Sequence, residues 1–240
     1  MAALSSDIGP KLWSQGFPLE QRRPYTGNIA ASERIYWTSM SIQVDGVAQR
    51  YPASVTAMKA LALLAAGADA NGNLYFTART ANVRVKVTSA AAEVITVAYG
   101  ATIDIDVQYN NGTSTAATVI QLLRRHAEAS RLLRYVAGGT AASSPAPLAF
   151  TAVPAIEMLG VPSIALNNEV ASAQSIGPAV AFDVGFFGAT LDQSAPPKAG
   201  QIAYLADDNT FTATPDGLAL RCRIEKVENG FAYGALHEAE

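Results

Sequence analysis

The segment from Lys198 to Leu236, KAGQIAYLADDNTFTATPDGLALRCRIEKVENGFAYGAL, constrains the fold more than any other part of the chain. Short runs of β-branched and aromatic residues are separated by Asp-Asp-Asn, Pro-Asp-Gly and Glu-Asn-Gly, where Gly, Asn and Asp can reach the positive φ that hairpin turns need. Four short strands in so little chain predict a small closed or nearly closed β unit. Within it no nucleophile has a base beside it, and no set of metal ligands is gathered.

The whole chain has 240 residues, enough for one large domain or two small ones, and half of it is hydrophobic with only 15% charged. That is a globular composition rather than a disordered one. The formal charge of -3 argues against a main task of neutralising nucleic-acid phosphates, which needs a basic surface. Cys222 is the single cysteine, so no intrachain disulfide can form and a reducing compartment suits the chain. The first residues, MAALSSDIGPKLWSQGFPLEQRR, lack the apolar core of a secretion signal. No apolar run approaches the roughly 18 to 20 residues that cross a bilayer. The expectation is a soluble protein made and assembled inside a cell, with neither nucleic acid nor membrane as partner.

Residues 1–34 read as an extended N-terminal arm. Pro10, Pro18 and Pro24 fix φ and remove ladder donors, while Trp13, Phe17 and Tyr25 want burial, either on the arm's own domain or on a neighbouring subunit. Residues 35–137 read as an α+β domain. Its first strand, IYWTSMSIQVDGV from Ile35, ends on an Asp45-Gly46 hairpin turn. A helix then runs from Ala53, after Pro52, to a left-handed stop at Gly67, and its nearly all-apolar surface predicts burial. Strands begin at Leu74, Asn82, Glu93 and Thr102. Val83, Val85 and Val87 oppose Arg84 and Lys86, and Ile103, Ile105 and Val107 oppose Asp104 and Asp106, so each strand has a wet and a dry face. If the two strands are neighbours, the basic pair can lie across from the acidic pair.

Ser114 or Thr115 can cap a second helix from Ala116 to Val136, stopped by Gly138-Gly139. Residues 138–154, rich in proline and small side chains, read as a linker or extended crossover, and 155–240 as a C-terminal β domain. The fold class is therefore mainly β with α+β elements. It comprises an antiparallel β domain with two helices, a small C-terminal β-barrel-like domain and the extended N-terminal arm.

Few residues point to chemistry. Asp104 and Asp106 could share a cation, but they equally form the polar face of a strand. Asp69-x-Asn71-Gly72-Asn73 starts like a calcium loop, yet Leu74 and Thr80 stand where glycine and a bidentate glutamate are needed, so it reads as a turn. His126 and His237 have no second ligand or nucleophile at motif spacing. Cys222 shares a face with Leu220 and Ile224 and reads as a buried packing thiol. Arg124, Arg125, Arg131 and Arg134 make the outer face of the second helix basic, either a solvated face or a contact for an acidic partner. No catalytic residue, cofactor site or metal site is expected.

The C-terminal segment resembles the small β domain of tailed-bacteriophage head-decoration (capsid cement) proteins. The shared features are a Gly-rich lead-in KAGQIAYL, an Asp/Asn turn, the Thr-rich strand TFTATPDG and the closing pair LRCRIEKVENGFAYGAL. The middle segment is similar to a pattern common in phage virion proteins, alternating strands followed by NGTSTAATVIQLLRRHAEASRLL. The resemblance implies a structural protein made in the host cytoplasm and located on the outer head surface of the virion. There it would bind the major capsid protein and itself, as a homotrimer. Trp13, Phe17 and Tyr25 of the arm and Arg124, Arg125, Arg131 and Arg134 are then the candidate partner contacts. The alternatives are a tail or connector component and a carbohydrate-binding module, for which Tyr204, Phe211 and Tyr233 would have to be exposed.

Overall fold

The structure, a computed structural model, describes residues 22–25, 27–36, 39–162, 166–168, 181–183 and 186–235. Trp13, Phe17 and His237 lie outside them. The chain divides into two compact units, one formed by the residues up to 58 together with those from 157 onward, the other by residues 59–156. This division differs from the sequence expectation of one domain over 35–137 and a linker over 138–154.

In the first unit the first described strands are β1 (Arg22–Pro24), β2 (Asn28–Ile29), β3 (Glu33–Ile35), β4 (Ser41–Val44) and β5 (Val47–Arg50). β4 and β5 form the hairpin read from Asp45-Gly46, and both turn residues have positive φ, 49° and 83°. That geometry matches the twist of the flanking strands.

The helix expected from Ala53 to Gly67 is shorter and less buried. α1 spans Val55–Leu61, begins with the Ala57 N–H donating to Ser54 Oγ at 3.1 Å, and buries only Met58; Val55 is 47% exposed. The chain then becomes β6 (Leu63–Ala65). Gly67 has no positive φ; instead its N–H donates to Asn73 Oδ1 at 2.7 Å and its Cα packs on Gly72, leaving no room for a Cβ.

The second unit continues with β7 (Leu74–Ala78), β8 (Val83–Ala90), β9 (Val94–Tyr99) and β10 (Ile103–Asn110), all where alternation placed them. α2 (Ala116–Arg125) opens on a Thr115 capping box. The long helix expected to reach Val136 breaks at His126, whose backbone is extended and whose Nδ1 accepts from the Ala129 N–H at 3.3 Å. After α3 (Ala127–Leu132) the chain becomes β11 (Leu133–Ala137), so Gly138-Gly139 follows a strand rather than stopping a helix. β7 lies between β6 and β11 and supplies ladder partners to both, which decides for strand in each segment.

The expected linker is structured. β12 (Leu148–Ala152) pairs with β8, and small residues just before it let the chain run close to the 66–72 loop, with Ala146 N–H bonded to Ala66 O and Ala68 N–H to Ser144 O. One sheet has the order β12-β8-β10-β9, with β10 parallel to β8 and antiparallel to β9. Its dry face, Val83, Val85, Val87, Ile105 and Val107, joins Phe76, Val119 and Leu123 in one core. Burying each such side chain contributes about 1.5–3 kcal/mol relative to leaving it exposed.

The chain returns to the first unit through β13 (Ile156–Pro162), β14 (Leu166–Asn168) and β15 (Ala181–Asp183). A six-stranded sheet runs β1-β15-β13-β4-β5-β2. The remaining strands, β16 (Phe186–Leu191), β17 (Ile202–Asp207), β18 (Thr210–Thr212), β19 (Arg221–Glu228) and β20 (Phe231–Ala235), close a barrel in the order β16-β18-β17-β19-β20. The mainly β fold and its C-terminal barrel agree with the sequence reading. The Glu-Asn-Gly turn has Asn229 and Gly230 at φ 51° and 82°, whereas Asp207, Asp208 and Asn209 need no positive φ.

Candidate functional site

Alternation places Arg84 and Lys86 on the wet face of β8 and Asp104 and Asp106 on that of β10, and the parallel register sets them directly opposite. Arg84 forks onto Asp104, with Nε–Oδ1 at 2.8 Å and a second nitrogen to Oδ2 at 2.6 Å; Thr102 Oγ1 also donates to Oδ1 at 2.9 Å. Lys86 Nζ lies 3.0 Å from Asp106 Oδ2, and Thr88 Oγ1 donates to Oδ1 at 3.1 Å. The hydrogen bonds from Arg84 hold the Asp104 carboxyl below the usual carboxylate range. The Phe150 ring covers both cations, at 5.3 Å from the Arg84 guanidinium and 5.5 Å from Lys86 Nζ. All four carboxylate oxygens already have donors, so the Asp104/Asp106 pair works as a self-neutralised surface ladder.

The basic residues are not one helix face. Arg124 and Arg125 are exposed in the last turn of α2, where cations complement the helix dipole, and Arg131 is exposed on α3. Arg134 is a correction to the sequence reading. It sits on β11, only 4% exposed, and donates to the carbonyls of Ile156 at 3.0 Å and Ala78 at 3.4 Å. Its strand position turns it inward, where it serves backbone groups and offers nothing to a partner.

Tyr25 also belongs to its own unit. It packs with Ile29, Ile35, Ala48, Leu159 and Leu166, and its hydroxyl donates to Gly46 O at 2.6 Å and Asn28 O at 3.1 Å. Burial pushes its phenol up. Of the seven candidate contacts, Arg124, Arg125 and Arg131 are displayed on the surface, Tyr25 and Arg134 are buried, and Trp13 and Phe17 fall outside the described residues.

Other groups have structural employment. Cys222 is buried, and desolvation pushes its thiol up to about 12, so it stays protonated at neutral pH. Asp69 starts a short turn, accepting from Asn71 N–H at 2.7 Å and Ser143 Oγ at 2.8 Å, in line with the turn reading of that segment. Phe211 is fully buried, while Tyr204 and Tyr233 are half-buried strand residues.

Sequence reasoning missed the buried polar knot at residues 207–212. Asp207, Asp208, Asn209, Thr210 and Thr212 are all buried; Asn209 N–H donates to Asp207 Oδ1, Thr190 Oγ1 to Asn209 O, and Met40 N–H to Asp208 O. A polar turn signal reads as surface, and the turn is enclosed by the barrel strands together with the segment at Met40, which is distant in sequence. Among the described residues no group of three or more His, Cys, Asp or Glu is placed to hold a metal ion, and no helix is long and apolar enough to cross a membrane. The chain matches no family model, no curated protein and no solved structure.

Proposed function

We propose that this protein is a structural component of a bacteriophage virion, a decoration or cement protein that binds the outer surface of the head and stabilises the shell. The supporting observation is that the four strands of the Lys198–Leu236 series close into a barrel together with β16, because that segment carries the resemblance to head-decoration domains. Its mechanism is mechanical. A packaged head is under internal pressure, and a cement protein adds contacts between shell subunits that the shell lacks alone.

The chemistry of the described surface fits that role. Its charged ladder is internally neutralised, its cysteine is buried, and the exposed cations Arg124, Arg125 and Arg131 suit an acidic surface. The partners are the major capsid protein and further copies of this chain, as a trimer by the resemblance. Obligate interfaces bury about 2,000 Å² or more, which an aromatic arm laid over a neighbour would help supply. Electron microscopy of intact particles carrying a labelled copy tests the reading. Label on the head surface at symmetric positions supports it; label confined to the tail replaces it with a tail or connector role.

A further inference from the structure

Among the described residues, β9 is an open edge of the β12-β8-β10-β9 sheet. Natural edges are blunted by charge, proline or a bulge, since bare backbone groups recruit other strands. The opposite edge is blunted in this way, because β12 shifts register between Leu148 and Thr151. In contrast β9, VITVAY, has no charge and no proline, and it pairs with β10 in unbroken register from Tyr99↔Ile103 to Val94↔Gln108.

Its outward groups follow from two hydrogen bonds. The Ile103 N–H donates to Asn82 O at 2.8 Å, towards β8, and the Gly100 N–H donates to Thr102 O at 3.0 Å, towards β10. Backbone groups of alternate residues point to opposite sides of a strand, so Asp104, Asp106 and Gln108 address β9 and meet Ala98, Thr96 and Val94. Ile95, Val97 and Tyr99 therefore direct their N–H and C=O groups to the open side. Their side chains lie on the core side of the sheet, with Ile95 and Val97 packed against the core and Tyr99 64% exposed, while Thr96 and Ala98 are exposed on the wet face.

We propose that this edge pairs antiparallel with the same edge of a second copy, about a two-fold axis at Val97. The occupant is a second copy because the edge is self-complementary in that register. Val97 faces Val97 of the second copy and Ile95 faces Tyr99, each pair exchanging both N–H···O bonds, so every outward group of the three residues is used. The register keeps wet face beside wet face and dry beside dry. It also gives exposed Tyr99 a β-branched cross-strand neighbour, a favourable pairing. The acidic residues of the two β10 strands stay three strand spacings apart, roughly 14 Å, beyond the screening length at physiological salt. Arg84 and Lys86 neutralise them in any case. The pairing does not rest on the head-surface reading, and it leaves three-fold association to other surfaces.

Cysteine cross-linking tests both partner and register. In the proposed pairing Thr96 faces Ala98 of the second copy in a non-hydrogen-bonded pair, with Cα atoms about 4.5 Å apart, within reach of a disulfide. The native Cys222 is buried and does not interfere. The full-length double variant Thr96→Cys/Ala98→Cys, oxidised with copper phenanthroline, is expected to run as a covalent dimer on a non-reducing gel. Thr96→Cys alone and Val94→Cys alone, with no cysteine opposite, are expected to stay monomeric. Circular dichroism checks that all three fold. No dimer from the double variant, or equal dimer from either single variant, overturns the proposal.

Discussion

Arg84 and Asp104 face each other on adjacent parallel strands, although β9 lies between those strands in sequence, and the guanidinium grips the carboxylate through two hydrogen bonds of 2.8 and 2.6 Å. With Lys86 and Asp106 one step along, the pairing fixes the register of β8 against β10. A one-residue slip would move the charges onto the core face.

The first prediction concerns acid. Hydrogen bonds from Arg84 depress Asp104, those from Ser143 and Asn71 depress Asp69, and those from Ser194 and Thr212 depress Asp192. A carboxyl whose folded value lies below its unfolded value, about 3.9, contributes stability that is present above that value and lost as pH falls through the folded one. The melting temperature should therefore fall as pH drops below about 4. Asp104→Asn should lower it by at most about 3 °C at pH 7, as a partly exposed pair allows, and should make the acid slope shallower. An unchanged slope would show that the ladder carries none of the acid sensitivity.

Among four arginines that look alike in sequence, Arg134 should behave differently from Arg124 and Arg131. Arg134→Met removes a buried donor to the carbonyls of Ile156 and Ala78 and should cost about 1–3 kcal/mol in denaturant unfolding. Arg124→Ala and Arg131→Ala, at exposed positions, should stay within about 0.5 kcal/mol. Equal effects at all three would contradict the inward placement of Arg134.

Two glycines separate steric from conformational cost. At Gly230, φ is 82° with open space around a Cβ, so Gly230→Ala should cost about 1–2 kcal/mol from the left-handed backbone alone. At Gly67 a Cβ would collide with the backbone of Gly72, so Gly67→Ala should cost clearly more. Thermal unfolding of the two variants gives the order, and a milder Gly67→Ala would mean that the 66–72 loop is not held as described.

The arm prediction is drawn at residue 21. Deleting residues 1–30 removes Tyr25 and Ile29 from their core cluster and should lower the melting temperature by several degrees. Deleting 1–21 spares that cluster but removes Trp13 and Phe17; it should weaken particle attachment more than it lowers the melting temperature. Full attachment by this shorter truncation would remove the arm from the contact.

Much of the architecture was legible because period-two charge patterns and Gly-containing turns are local signals. The wet and dry faces of β8 and β10, the Asp45-Gly46 hairpin and the Asn229-Gly230 turn all came from residues within a few positions of one another, whereas the pairing of β8 with β10 across the intervening β9 was left open by the sequence. The segments at Leu63 and Leu133 were not legible as strands. Their leucine-rich sequence suits a helix equally, and β7, which decides between the two, is separated from Leu133 by most of the second unit. The same non-local logic hid β12, whose partner is β8, and the inward turn of Arg134. Among the described candidate contacts, only the exposed cations of α2 and α3 kept the surface role that the sequence suggested.

If the protein reinforces a phage head, as proposed, genome-filled heads with and without it should differ in their resistance to stress. Under a heat ramp or rapid dilution from high osmolarity, release of DNA should begin at lower stress in heads lacking the protein, and adding the purified chain back should restore the threshold. Equal thresholds in the two preparations, with the protein bound where expected, would contradict the account.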